Sequence, residues 1–228
     1  MVSGILIKTL PKLHFNSLPP ATGQAFLALS KSANWLKSGG WYLAGGTALA
    51  LQAGHRASVD LDFFTRKKTF DIEGLERSLS RAGKWKTTLT KPDTLYGIFL
   101  KAKVSFIAYP FFIPSRKKLQ YGNIALLKPD DIAVMKIIAI SQRGKKRDFV
   151  DLYWYCNNVR DLETAFFHML KQYPQDHNTS HILKSLAYFD DAEKDPMPNL
   201  EFSADWQKVK AYFRREVPRI TRKFLGLD

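Results

Sequence analysis

Gly45-Gly46-Thr47-Ala48-Leu49-Ala50-Leu51-Gln52-Ala53-Gly54-His55-Arg56-Ala57-Ser58-Val59-Asp60-Leu61-Asp62-Phe63-Phe64 is the stretch on which the fold turns. Its second half, Val59 to Phe64, has the composition of a half-buried strand, in which side chains alternate between faces. Alternation places Val59, Leu61 and Phe63 on one face and Ser58, Asp60 and Asp62 on the other. Next-nearest residues on a strand lie roughly 6.6 Å apart, from a rise of about 3.3 Å per residue. Two carboxylates at that spacing beside a core repel each other and lose hydration, which a hard divalent cation would relieve. The first half begins where an apolar run, Trp41 to Ala44, meets Gly45-Gly46-Thr47 and a short apolar helix, Thr47 to Ala53. A glycine turn opening a helix offers backbone N–H groups to a phosphate. Phosphate donors next to a metal site suggest chemistry on a nucleoside triphosphate.

Upstream, Pro19-Pro20 starts a helix whose apolar stripe runs to about Lys37. Downstream, residues 71–82 form an amphipathic helix with acids in its first turn. Three β-like runs follow, 84–90, 94–100 and 103–109, the first two joined by Lys91-Pro92-Asp93 as a hairpin. Residues 110–127 are loop-rich, with a short strand near 123–126. At Lys128-Pro129-Asp130-Asp131 the character changes, because proline followed by two acids is a helix start. Helices are expected over 129–142, 146–157, 161–172, 178–188 and 204–224. The fold class is α+β: a mixed sheet flanked by helices over residues 1–127, then a helical half over 128–228.

The helical half carries a second constellation. Lys136 emerges among Ile132, Met135, Ile137 and Ile138, and taken alone it reads equally as a lysine with a buried stem. Arg143, seven residues on, shares its face. Asp148 and Asp151 share a face of the next helix, and Asp148 sits where it would also cap that helix. Asp151, flanked by Val150 and Leu152, has no capping role and is the acid expected to reach the site.

Hydrophobic residues make up 45% of the chain and charged residues 25%, ordinary globular values. The charge balance is less ordinary: 35 Lys+Arg against 21 Asp+Glu give +14. Such an excess favours a polyanionic partner. Residues 101–147 alone hold eleven basic and two acidic residues, among them Arg116-Lys117-Lys118 and Lys145-Lys146-Arg147. The last helix adds Lys208, Lys210, Arg214, Arg215, Arg219, Arg222 and Lys223, which read equally as a solvated face. One cysteine, Cys156, excludes an internal disulfide framework and any cysteine-based zinc cluster. Met1 to Leu10 lacks a signal-peptide core, and Ser38 to Gly54, free of charge but broken by glycines, is too short to span a membrane. A cytoplasmic protein is expected, and the five histidines are left unassigned.

Gly45-Gly46-Thr47, Arg56-x-Ser58-x-Asp60-Leu-Asp62-Phe, a helical lysine and Lys146-Arg147-Asp148-x-x-Asp151-Leu together resemble the AbiEii/AbiGii-type nucleotidyltransferase toxins of the DNA polymerase β-like superfamily. The resemblance covers roughly residues 38–156, with the motifs in order. It implies a nucleotidyltransferase-like fold and transfer of NMP from an NTP. Gly45, Gly46 and Thr47 would hold the triphosphate, with Arg56, Ser58 and Asp148 in support. Asp60 and Asp62 would hold Mg²⁺ or Mn²⁺, Lys136 would neutralise the triphosphate, and Asp151 would complete the catalytic set. Relatives include toxins that modify the tRNA acceptor end. The resemblance, with the charge, therefore implies tRNA or another RNA as acceptor, and a cognate antitoxin as a partner. A small-molecule nucleotidyltransferase and a disabled NTP- or RNA-binding module are the alternatives. The superfamily usually takes a third carboxylate from a later strand, and in Lys103-Val104-Ser105-Phe106 that slot holds Ser105. Either Asp148 or Asp151 substitutes in space, or catalysis is slow, or it is lost.

Overall fold

The computed structural model describes residues 10–175 and 178–227; the leader reading of residues 1–9 and His177 lie outside them. The elements in chain order are α1 (Pro20–Ser32), α2 (Trp35–Ser38), β1 (Tyr42–Ala44), α3 (Gly45–Ala53), β2 (Leu61–Thr65) and α4 (Ile72–Ala82). Next come β3 (Trp85–Lys91), β4 (Thr94–Phe99), β5 (Ala102–Ala108), β6 (Leu119–Tyr121) and β7 (Ile124–Leu126). Helices α5 (Pro129–Arg143), α6 (Lys146–Asn158), α7 (Leu162–Gln172), α8 (Thr179–Leu186), α9 (Asp190–Glu193) and α10 (Trp206–Phe224) complete the chain.

The seven strands form one sheet in the order β3-β4-β5-β2-β1-β7-β6. The β2/β5 and β1/β7 pairs are parallel and the rest antiparallel, so the sheet is mixed, as the α+β reading requires. Alternation along β2 sends Leu61 and Phe63 to one face and Asp62 and Phe64 to the other. On the first face Phe63 stacks on Phe106, with ring centroids 5.1 Å apart, and Trp41 meets Phe106 edge-on. Burying each such ring stabilises the fold by about 1.5–3 kcal/mol. That face is covered by α1 and α4, while α3 packs over β1 and β2 on the other and carries α5. Helix α5 is in turn wrapped by α6, α7 and α8. One buried core runs through both halves, and the step from β7 to α5 falls at residues 127–128.

Several sequence expectations shift. The strand begins at Leu61, not Val59, and Val59 is 50% exposed. Before Leu61 the backbone is engaged elsewhere: Ala57 N–H donates to Asn199 and Ser58 N–H to Ser17, so these residues cannot join the ladder. The first helix breaks at Ala33-Asn34. The short strand near 123–126 is the second arm of a hairpin whose first arm, β6, the sequence did not reveal. Among the described residues, no helix is long and apolar enough to cross a membrane.

Candidate active site

A cavity of about 680 Å³ lies between the Asp62 face of the sheet and α5, within the size range of small-molecule sites. Its floor is built by strand pairing. Asp62 sits opposite Ser105 in the parallel β2/β5 pair, so Ser105 does occupy the slot of the missing carboxylate. Its hydroxyl donates to Asp62 Oδ1 at 2.6 Å. Asp60 lies one residue before β2. Its Oδ1 is buried without a hydrogen-bond partner among the described residues, and its Oδ2 is 3.7 Å from Arg147 Nη1. Burial and the neighbouring Asp60 charge push the Asp62 carboxyl above its ordinary range, although the Ser105 bond pulls the other way. An under-compensated carboxylate pair and an orphaned oxygen fit a hard divalent cation. Among the described residues no group of three or more His, Cys, Asp or Glu could hold a metal. The protein's share of such a site is therefore Asp60 and Asp62, with the remaining oxygens from water or substrate.

The Gly45-Gly46-Thr47 turn is placed against this pair. Gly45 has φ +69°, and a Cβ there would meet Asp62 Oδ2 at 3.4 Å. At Gly46 a Cβ would lie 2.0 Å from Arg56 Nη2. Glycine is thus required at Gly45 by backbone conformation and at Gly46 by the approach of a guanidinium. The Thr47 hydroxyl turns inward, donating to the Asp60 carbonyl and lying 2.8 Å from Ser58 Oγ. Its side chain braces the Asp60 segment, so only the backbone at this turn is free to meet a ligand from Thr47.

Behind the cavity wall lies a buried ion network. Asp151 takes Arg56 Nε at 2.5 Å, Arg56 Nη2 at 2.8 Å, His55 Nε2 at 2.8 Å and Lys136 Nζ at 2.5 Å. Asp148 takes Lys136 Nζ at 2.6 Å and Arg143 through Nε and Nη2 at 2.9 and 3.1 Å. Burial alone would raise both carboxyls, but the Arg56 and Lys136 charges hold Asp151 well below the carboxylate range, and Lys136 and Arg143 hold Asp148 below it. Burial lowers His55, against its bond to Asp151, and keeps its ring neutral. Three cations therefore face two carboxylates, and the surplus charge is positive. Arg56, Lys136 and Arg143 line the cavity; Asp148 and Asp151 do not.

The structure thus brings Gly45, Gly46, Thr47, Arg56, Ser58, Asp60, Asp62 and Lys136 to one cavity. It corrects the expectation that Asp151 reaches the site. Asp151 is fully buried beneath it, holding Lys136 and Arg56 in place. Asp148 is likewise no cap but the anchor of Lys136 and Arg143. Neither acid stands in for the carboxylate missing at Ser105. Sequence reasoning missed His55, whose only signal was its place beside Arg56, and gave no role to Arg143. The basic run Lys145-Lys146-Arg147 also divides. Lys145 pairs with Asp195, and Lys146 is buried with its Nζ on the Glu193 and Asp195 carbonyls. Only Arg147 enters the cavity. The far end of the cavity is apolar and aromatic, lined by Phe64, Tyr96, Ile98, Ile107 and Tyr109.

Comparison with known proteins bears on the family and the fold. The model of the family described as "Nucleotidyl transferase AbiEii toxin, Type IV TA system" matches residues 36–96 and 103–224. A protein of Aquifex aeolicus strain VF5, "Uncharacterized protein aq_aa25", is 34% identical over 183 residues, covering 78% of this chain and 86% of its own. Among solved structures, a putative nucleotidyltransferase from H. pylori superposes with a TM-score of 0.54 at 17% identity, over 92% of this chain and 99% of that one. MenT4, a nucleotidyltransferase toxin of Mycobacterium tuberculosis H37Rv, gives 0.53 at 15% identity, over 89% and 86%. At these identities the structures share the fold.

Proposed function

This chain belongs to the AbiEii nucleotidyl transferase toxin family, and we propose that it moves NMP from an NTP to an RNA hydroxyl, with tRNA as the acceptor. The observation that carries the reading is one cavity holding an under-compensated carboxylate pair, Asp60 and Asp62, beside a net-positive cluster of Arg56, Lys136 and Arg143. The triphosphate lies against that cluster and the backbone at Gly45-Gly46-Thr47, and the nucleoside takes the apolar end near Tyr96 and Ile98. The acceptor oxygen attacks the α-phosphorus, the bond to the bridging oxygen breaks, and pyrophosphate leaves, while the hydroxyl proton passes to the carboxylate pair. Charge grows on the departing pyrophosphate, and Lys136, locked between Asp148 and Asp151, is positioned to stabilise it without reorganising. Asp60 and Asp62 would hold a Mg²⁺ or Mn²⁺ ion, which would supply further neutralisation of the phosphates and Lewis acidity toward the acceptor hydroxyl.

The substrates place this activity in the cytoplasm, where NTP and tRNA meet, and blocked translation is its toxic outcome. The type IV toxin–antitoxin description of the family supports a cognate antitoxin as partner. One observation favours a second reading, a slow or silent NTP-binding module: Ser105 supplies no base. Asp60→Asn and Lys136→Ala each abolish divalent-dependent transfer of label from an α-labelled NTP to tRNA if the first reading holds. Label on a small hydroxyl compound but not on RNA would move the acceptor to the antibiotic-modifying type. NTP binding without transfer by the wild type would favour the second reading.

A further inference from the structure

Three surface concentrations of positive charge among the described residues differ in what their charges already touch. On α10, Lys208 pairs with Asp205, Lys210 with Glu193, Arg215 and Arg219 with Glu216, and Lys223 with Glu163. At the start of α6, Lys145 and Lys146 are consumed by the Glu193–Asp195 turn. The third group, Arg66, Lys67 and Lys68 beyond β2 with Arg116, Lys117 and Lys118 before β6, makes no ion pair among the described residues. Three of the six, Arg66, Lys67 and Lys118, line a cleft of about 370 Å³ that also contains Tyr42 and no acid. The Lys118 ammonium lies over the Tyr42 ring, 5.2 Å from its centroid.

Two features make this more than a solvated face. The loop is fixed at its base: buried Asp131 accepts from Ser115 N–H at 3.0 Å, Ser115 Oγ at 2.8 Å and Arg116 N–H at 3.2 Å. The backbone leading into Arg116-Lys117-Lys118 is therefore held in place before any partner arrives, which lowers the ordering cost of binding. The cleft also adjoins the candidate active site across a layer of aromatic rings. Tyr42 stacks on Phe64, with centroids 6.2 Å apart, and Phe64 meets Tyr109 edge-on; Phe64 and Tyr109 both line the larger cavity. Four residues along the chain from Asp62 to Arg66 span about 13 Å at roughly 3.3 Å each.

Resting on the transfer reading above, we propose that this cleft docks the phosphodiester backbone of the acceptor RNA at a distance from the reacting hydroxyl. The aromatic column separates the phosphate track from the reacting centre, and the lysines and Arg66 supply affinity without reading sequence. The test measures binding of fluorescently labelled tRNA to the full chain by anisotropy, without NTP, over a series of salt concentrations. Each lost phosphate contact lowers the slope of log K against log salt by about 0.7 on a single strand. Lys67→Gln with Lys118→Gln should therefore lower it by about 1.4 and weaken binding on the order of tenfold at low salt. Arg66→Gln, at an exposed lining residue, should lower the slope by about 0.7, and Arg215→Gln with Arg219→Gln on α10 should leave it unchanged. Affinity for NTP should be unchanged in all three. An unaltered slope in both cleft variants, or an equal loss in the α10 variant, overturns the docking surface. Because binding is read without turnover, failed transfer leaves it standing. Wild type that binds no RNA overturns it together with the RNA acceptor, while pyrophosphate release with a small acceptor would keep the transferase.

Discussion

Two pairs of aspartates sit on opposite sides of one cavity wall, and their surroundings could hardly differ more. Asp148 and Asp151 are fully buried and over-compensated, with Arg56, Lys136 and Arg143 within salt-bridge distance and His55 completing the shell. Asp60 and Asp62 reach the cavity with one serine hydroxyl, a distant Arg147 and an oxygen that nothing among the described residues satisfies. The first pair has spent its charge on the fold. The second keeps its charge available, at a cost in stability, which is the usual signature of a ligand site.

The largest effect expected of this contrast is at Asp151. Asp151→Ala leaves Arg56 and Lys136 buried against each other, and removing one partner of a buried pair costs about 3–5 kcal/mol. Urea denaturation checks this, and a loss below about 1 kcal/mol would dissolve the distinction between the pairs.

Asp62→Asn should act in the opposite direction. A carboxyl raised in the fold is easier to keep protonated there than in the unfolded chain. Its ionisation therefore costs stability as pH climbs from the ordinary carboxylate range through the raised value. At neutral pH the variant should be more stable by roughly 0.5–2 kcal/mol, while transfer is lost. The gain should vanish in acid, below the ordinary carboxylate range. Asp148 and Asp151 follow the reverse sign: their depressed values give stability that is present above that range and lost as pH falls through the folded values. Thermal melts of wild type and variant from about pH 3 to pH 8 separate the two limbs.

The smallest effect sharpens the open end of the pair. Ser105→Asp sets a third carboxylate beside Asp62 at a paired strand position, where like charges destabilise by about 0.2–1 kcal/mol. Added Mg²⁺ should recover that loss and raise the melting temperature more than it does for wild type. An unchanged response to Mg²⁺ would argue against a cation at Asp62.

Much of this was legible in the chain because it is written locally. The Asp60-x-Asp62 spacing, the glycine turn and the proline start of α5 are contiguous signals, and the position of Ser105 follows from counting along an adjacent strand. What escaped is long-range. Nothing near Lys145 announces Asp195, so a run of three basic residues read as a binding stripe when two of them were already engaged. Nothing near Asp151 announces His55, 96 residues earlier. The local apolar pattern also carried the strand back to Val59, because the pattern does not reveal that the backbone of Ala57 and Ser58 is hydrogen-bonded to other segments.

Whether Asp60 and Asp62 with the Lys136 cluster transfer a nucleotide to RNA is decided by one labelling gel. Wild type and Asp60→Asn are incubated with each of the four α-labelled NTPs, Mg²⁺ and total tRNA. Label should appear on tRNA from at least one nucleotide with wild type and from none with the variant. Equal labelling by Asp60→Asn, or no labelled RNA from wild type with any nucleotide, would contradict that assignment.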